Sequence, residues 1–256
     1  MKDKECFLSY VQQFDQSDAK IALKLAHSFR VSNLCEEIAV RLGFSQEDCL
    51  LAKRIGLLHD IGRFPQAALY GTFVDAKSVA HAQLSIQVLF EEGWIQRFIN
   101  DRKQDHVIKQ AIRFHSDRYL PVGLDPKEEQ FCHLLRDADK IDIIHVHQNH
   151  SYQDFLDCSK EEMADSSISD AVLDAFLQQV TVDFTKRTTP LDILLSHDAI
   201  VFDLHYEESK QLFSEKGYSL LRIIEGLDFK KEETRKRLQI IAEACRCAGF
   251  MIKETI

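Results

Sequence analysis

The sequence predicts an all-α fold, and three features carry that expectation. Glycine and proline are scarce, with 9 and 4 residues in 256, which leaves few places for the tight turns that join strands. Apolar residues recur at steps of three and four in one segment after another. Several of those segments open on a capping residue or close on glycine, the punctuation of helices. A chain of this length can bury a sizeable core. It reads as a helical core over residues 1–150, with a helical extension over 151–256 packing on that core.

Residues up to about Asp15 form a short helical lead-in. His27, Val31, Leu34, Ile38 and Leu42 share one helical face, and Gly43 is the expected C-cap. Ser45, with Asp48 three residues on, caps a second helix whose inward positions include Ala52, Ile55, Gly56 and His59. Gly62 and Pro65 are expected to stop it. A third helix, from about Ser78 to Glu92, aligns His81, Leu84 and Val88. A fourth, near Gln104 to Ser116, aligns Ile108, Ala111, Ile112 and His115. Asp125, Pro126 and Glu128 supply a cap, a first-turn proline and a reaching carboxylate for a fifth helix that runs past Asp139 and Asp142. Beyond His150, amphipathic stretches at about 168–183, 190–202 and 232–248 read as further helices.

The formal charge of −9 and a pI near 5.7 argue against polymeric DNA or RNA as the ligand, since no basic stripe is present to displace counterions. A small phosphorylated molecule stays compatible with that charge, because a local cationic site can bind an anion against the sign of the whole protein. The charged start Met1-Lys2-Asp3-Lys4-Glu5 does not resemble a signal peptide, and no apolar run is long enough to cross a membrane. The expected location is the cytoplasm, without a membrane partner. The 7 cysteines form no Cys-x-x-Cys pair, so reduced thiols are expected. Cys35, Cys49 and Cys132 lie in or beside apolar helical patterns and read as inert core residues.

Taken singly, His27, His59, His81 or His115 would more often be a hydrogen-bonded core histidine than a metal ligand. Four of them on four successive apolar faces, together with Asp60 and Asp139, point instead to a shared cation, because buried carboxylates need a compensating charge. The adjacency of His59 and Asp60 is useful, since neighbouring helical residues diverge by about 100° and one turn can offer ligands in two directions. By contrast, His197-Asp198 lacks a glycine stop and ordered partners and reads as a surface pair. His145, His147 and His150 read as a solvated helix end.

His27, then Leu57-Leu58-His59-Asp60-Ile61-Gly62-Arg63, then Asp137-Ala138-Asp139-Lys140-Ile141-Asp142, resembles the HD superfamily of metal-dependent phosphohydrolases over roughly residues 20–150. The resemblance implies an HD-domain helical bundle with additional C-terminal helices. It also implies that His27, His59, Asp60 and Asp139 hold one metal and that His81 and His115 extend the site to a second, with Asp60 bridging. Cyclic-dinucleotide phosphodiesterases of the superfamily carry a doubled His and Gly-Tyr-Pro. This chain has His115-Ser116 and Tyr119-Leu120-Pro121, so a smaller nucleotide substrate is expected.

The resemblance thus implies hydrolysis of a phosphate ester or phosphoanhydride by metal-activated water, with the two ions about 3.5–4 Å apart. Asp60 and Arg63 are the expected catalytic residues, Arg63 and Lys140 the substrate-binding ones, and Asp142 the residue orienting a ligand histidine. Arg30 and Arg113 stand in reserve around the pocket. Imidazole with carboxylate admits iron, manganese, zinc, cobalt or nickel, with magnesium also compatible, as one or two ions. Two other readings are a di-iron oxygenase on the same scaffold and a non-catalytic ligand sensor. The stretches around Phe202-Asp203-Leu204 and Gly217-Tyr218 are expected to cover the active-site mouth. The sequence says nothing of oligomeric state.

Overall fold

The computed structural model describes residues 2–99, 101–149, 156, 158–216 and 226–250. Among them the fold is all-helical, with no strand. No helix among the described residues is long and apolar enough to cross a membrane. The chain divides into two compact units, Met1–Asp139 and Lys140–Ile256.

The first unit holds α1 (Lys2–Val11), α2 (Ala19–Arg41), α3 (Gln46–Leu58), α4 (Arg63–Tyr70), α5 (His81–Ile86), α6 (Ile95–Phe98), α7 (Asp105–Phe114) and the first part of α8 (Pro126–Asn149). The expected faces are the buried ones: Val31 and Ile38 on α2, Ala52 and Ile55 on α3, Ile108 and Ile112 on α7 have no exposed surface. The caps follow the sequence. Ser45 accepts from the Asp48 N–H, Gly43 takes φ 72°, and Glu128 Oε2 accepts from the Asp125 N–H, each arrangement contributing about 1 kcal/mol.

Two glycines set how closely these helices approach. A Cβ on Gly56 would lie 2.7 Å from Cys35 Sγ and 2.8 Å from the Val31 carbonyl, so α2 and α3 touch along their backbones at this level. A Cβ on Gly62 would come within 2.4 Å of the Ser85 nitrogen and 2.6 Å of the His81 carbonyl, which locks the turn after α3 against α5. Around α1 an aromatic cluster seals the unit, with Phe7 edge-on to Phe64 at 5.8 Å and Tyr10 edge-on to Trp94 at 4.8 Å.

Local structure departs from expectation at two places. Pro65 does not stop a helix; it stands in the first turn of α4, where its missing N–H would have had no intrahelical partner. The third helix starts at His81 rather than Ser78, and it continues beyond Ile86 as a π-helical turn over Gln87–Glu91.

The second unit holds the end of α8, α9 (Lys160–Ala164), α10 (Asp170–Leu177), α11 (Pro190–Asp198), α12 (Glu207–Glu215) and α13 (Glu232–Cys247). Here α10 packs on α11 and α13, and α11 on α9. Buried Asp192 ties the loops together: Oδ1 accepts from the Ser169 N–H and Oδ2 from the Thr188 N–H and hydroxyl. Gly217 and Tyr218 lie outside the described residues, as do His150 and the side chain of His147.

His197-Asp198 is not a surface pair. Asp198 is only 3% exposed, and one of its carboxylate oxygens has no hydrogen-bond partner. The pair sits at the end of α11, whose Leu191, Leu194 and Leu195 are fully buried, so helical phase carries Asp198 inward. Burial raises its carboxyl well above the ordinary 3.8, so the folded state binds this proton more tightly than the unfolded chain does. That stabilisation is complete below the ordinary value and is lost as pH rises through the folded one. Asp198→Asn should therefore flatten the fall in melting temperature on going upward from pH 4; parallel curves for the two proteins would rule this out. In the first unit, Gly56→Ala should cost about 1–3 kcal/mol by urea unfolding, and an unshifted midpoint would mean that α2 and α3 are not in backbone contact.

Candidate metal centre

Five helices bring polar side chains to one centre in the first unit. His27 projects from the middle of α2. His59 and Asp60 follow directly after Leu58, where a helix end leaves carbonyls unpaired and favours a cation. His81 is the first residue of α5, His115 directly follows α7, and Asp139 lies on α8. All six are buried except Asp139, which is half-buried.

The two oxygens of Asp60 face two different sets of partners. Oδ2 lies 3.5 Å from His27 Nε2 and 3.7 Å from His59 Nε2. Asp139 Oδ1 closes that set, 3.3 Å from His27 Nε2 and 3.7 Å from His59 Nε2. Oδ1 of Asp60 lies 3.6 Å from His81 Nε2 and 3.7 Å from His115 Nε2. Ligand atoms about 2.1 Å from one ion lie about 3.0–3.4 Å from each other, close to these spacings.

The tautomers show what is missing from this geometry. His59 Nδ1 is 2.8 Å from the Gly56 carbonyl and His115 Nδ1 is 2.6 Å from the Ile112 carbonyl. A carbonyl only accepts, so both Nδ1 atoms carry the proton. His81 Nδ1 donates in the same way to Asp75 Oδ2 at 2.6 Å. Each of these rings therefore presents a lone pair at Nε2, and those of His81 and His115 meet at 3.0 Å. Asp60 Oδ1, buried beside them, has no hydrogen-bond donor. Acceptors converge here without a proton between them, and a cation is what satisfies them.

Electrostatics keep the set ready. Burial pushes the His81 imidazole down to about 4 and lowers that of His59, so both are neutral at physiological pH. Burial alone would raise Asp60, but the Lys24 ammonium 2.6 Å away leads the effects that hold it well below the usual carboxylate range. Cys35 is no competing nucleophile, since burial, with Asp139 and Asp137 nearby, raises its thiol well above 9.0. Burial lifts Cys132 to about 12 and raises Cys49 above 9.0.

A surrounding layer holds the ligands, and sequence patterns did not single it out. Asp75 takes the His81 Nδ1–H on Oδ2, while its Oδ1 accepts from Arg63 Nη1 at 2.9 Å and Gln66 Nε2 at 2.8 Å. Ser85 Oγ donates to the His59 carbonyl at 2.8 Å and accepts from the Gly62 N–H at 3.0 Å. Buried Arg136 donates to the carbonyls of Phe114, Asp117 and Arg118, fastening the end of α7 that carries His115. Lys24, one turn before His27, pairs with Asp60 Oδ2. Helical spacing could have found Lys24, whereas Asp75 opens a single 3-10 turn, Asp75–Lys77, too short for periodicity to carry information.

The six expected ligands come together, and Arg63 stands beside them with Nε 3.6 Å from Asp60 Oδ1. Its Nη1 is engaged by Gln66, Asp75 and the Phe73 carbonyl. Lys140 and Asp142 belong to the second unit. The Lys140 ammonium is held by Asp203, 2.7 Å from its carbonyl and 2.6 Å from Oδ2. Asp142 is buried on α8, and Arg113 is exposed against Phe114.

Two overlapping groups of these side chains, His27 with His59 and Asp139, and His59 with Asp60 and His115, are each close enough to hold a metal ion. Residues 25–147 match the family model described as HD domain. The HD-domain superfamily to which this segment is similar is all-helical and composed mostly of metal-dependent hydrolases. No curated protein and no solved structure matches the chain. Asp75→Ala leaves the His81 Nδ1–H without its carboxylate, and metal affinity should fall about 10- to 100-fold in a chelator competition assay. Undiminished affinity would remove Asp75 from the ligand framework.

Proposed function

We propose that this protein is a metal-dependent phosphohydrolase that cleaves a phosphate ester or phosphoanhydride of a small molecule, a nucleotide being the first class to test. One observation carries the reading: imidazole nitrogens converge on both oxygens of Asp60, one of which has no hydrogen-bond partner. That arrangement favours two divalent ions per chain. His27, His59, Asp60 Oδ2 and Asp139 suit one; Asp60 Oδ1, His81 and His115 suit the other. Mixed nitrogen and oxygen ligands are appropriate to iron, manganese, cobalt, nickel or zinc.

When bound, such ions activate water and stabilise charge on phosphoryl oxygens. The chain's own part is preorganisation. Hydrogen bonds from Nδ1 fix the rings of His59, His81 and His115 with Nε2 forward. Arg63, anchored through Nη1, keeps its Nε unpaired beside Asp60 and can turn that donor to an incoming phosphoryl oxygen. Three protein ligands at the second position leave room for water and substrate.

The test loads purified protein with metal and offers nucleoside mono-, di- and triphosphates, dinucleoside polyphosphates and cyclic nucleotides. Metal-dependent phosphate release is expected from at least one class, and Asp60→Ala should abolish it. His115→Ala should lower the bound metal from two ions per chain to one by elemental analysis. Absence of metal-dependent release from every class would refute the reading.

A further inference from the structure

Lys24 sits one helical turn before His27, with Nζ 2.6 Å from Asp60 Oδ2 and 17% of its side chain exposed. Among the described residues Asp60 is the only anion within ion-pair distance of it. Its ammonium lies 5.6 Å from the Phe73 ring centroid, and the Arg63 guanidinium lies 5.6 Å from the same centroid. Two cations therefore share one aromatic ring beside the carboxylate on which the metal ligands converge.

The charges around this point do not balance once metal is present. Lys24 pairs with Asp60, and Arg63 pairs with Asp75, whose other oxygen takes the His81 Nδ1–H. Two divalent ions on the converging ligands would add positive charge directly beside both cations. With Asp60 shared between those ions, Lys24 loses most of its counter-charge and becomes a partly exposed ammonium in a low-dielectric setting. An arriving anion restores that partner.

Resting on the phosphohydrolase reading above, we propose that Lys24 receives a phosphate oxygen of the substrate in the metal-loaded protein and, with Arg63, favours a terminal phosphate carrying two charges over a singly charged diester. Lys24 is then a substrate-binding residue that exchanges its pairing with Asp60 for a phosphate oxygen. Its reach toward solvent and its place between Asp60 and Phe73 suit that exchange. Because the ammonium also opposes the metal ions electrostatically, its two effects have opposite sign: it weakens metal binding and strengthens phosphate binding.

Calorimetric titration of manganese, then of inorganic phosphate or dimethyl phosphate into the manganese-loaded protein, separates these effects without turnover. Wild-type protein should bind phosphate more tightly than dimethyl phosphate. Lys24→Met should bind manganese several-fold more tightly and phosphate about 10- to 100-fold more weakly. Lys24→Arg should retain most of the phosphate affinity, and Lys20→Met, which removes an exposed charge one turn away, should change neither constant. Tighter manganese with unchanged phosphate binding in Lys24→Met would mean that Lys24 only occupies the metal's place, and would overturn the proposal. Loss of both affinities, or loss of phosphate binding in Lys24→Arg as well, would assign Lys24 a packing role and overturn it too. Equal wild-type affinity for the two phosphates would overturn the preference for two charges. Failure of manganese-loaded wild-type protein to bind either phosphate would bring down the phosphohydrolase reading itself.

Discussion

The carboxylate of Asp60 is the constraint on which the rest of the first unit depends. A buried, ionised carboxylate is costly unless charge or donors compensate it, and here one oxygen meets Lys24 while the other has no hydrogen-bond partner. Every ligand-bearing helix is arranged around that atom pair. His27 and His59 approach one oxygen, His81 and His115 the other. Such a centre makes physical sense in the presence of positive charge, and it explains why the chain turns the Nε2 atoms of four buried imidazoles inward.

Helix ends do much of the orienting. His59 and His115 both stand just past a helix, three residues beyond the carbonyl that each ring engages. Terminal carbonyls lack an intrahelical donor, so the imidazole satisfies the helix while the helix selects its tautomer. His81 stands at the start of its helix, where free carbonyls are absent, and the carboxylate of Asp75, from the short turn before it, takes over the task. The absence of side chains at Gly56 and Gly62 then brings α2, the turn after α3, and α5 within reach of one another.

Much of the fold was legible because helical faces repeat every three or four residues and caps have a definite chemistry. The buried faces of α2, α3, α5, α7 and the start of α8 follow directly from that pattern, as does the inward direction of the four histidines. Short α4 escaped it, because proline is ambiguous between a stop and a first-turn residue. Asp198 escaped because a missing glycine stop and missing ordered partners argue against the motif without deciding burial, whereas the phase of α11 turns it inward. Lys140 shows the reverse: adjacent to Asp139 in sequence, it has its ammonium engaged by Asp203.

By itself, then, the sequence determined an all-helical chain, an ordered HD-type motif and the identities of the histidines and carboxylates that converge. These are properties of local periodicity and of ordered motifs, which survive without knowledge of the fold. Only the tertiary structure decided which oxygen of Asp60 meets which imidazole, that Asp75 joins His81 to Arg63, and that Lys24 stands at the same carboxylate. Those relations depend on the distance between backbones far apart in sequence. Side-chain-free contacts at glycine and hydrogen bonds at helix ends set that distance, and neither follows from a repeat of three or four residues.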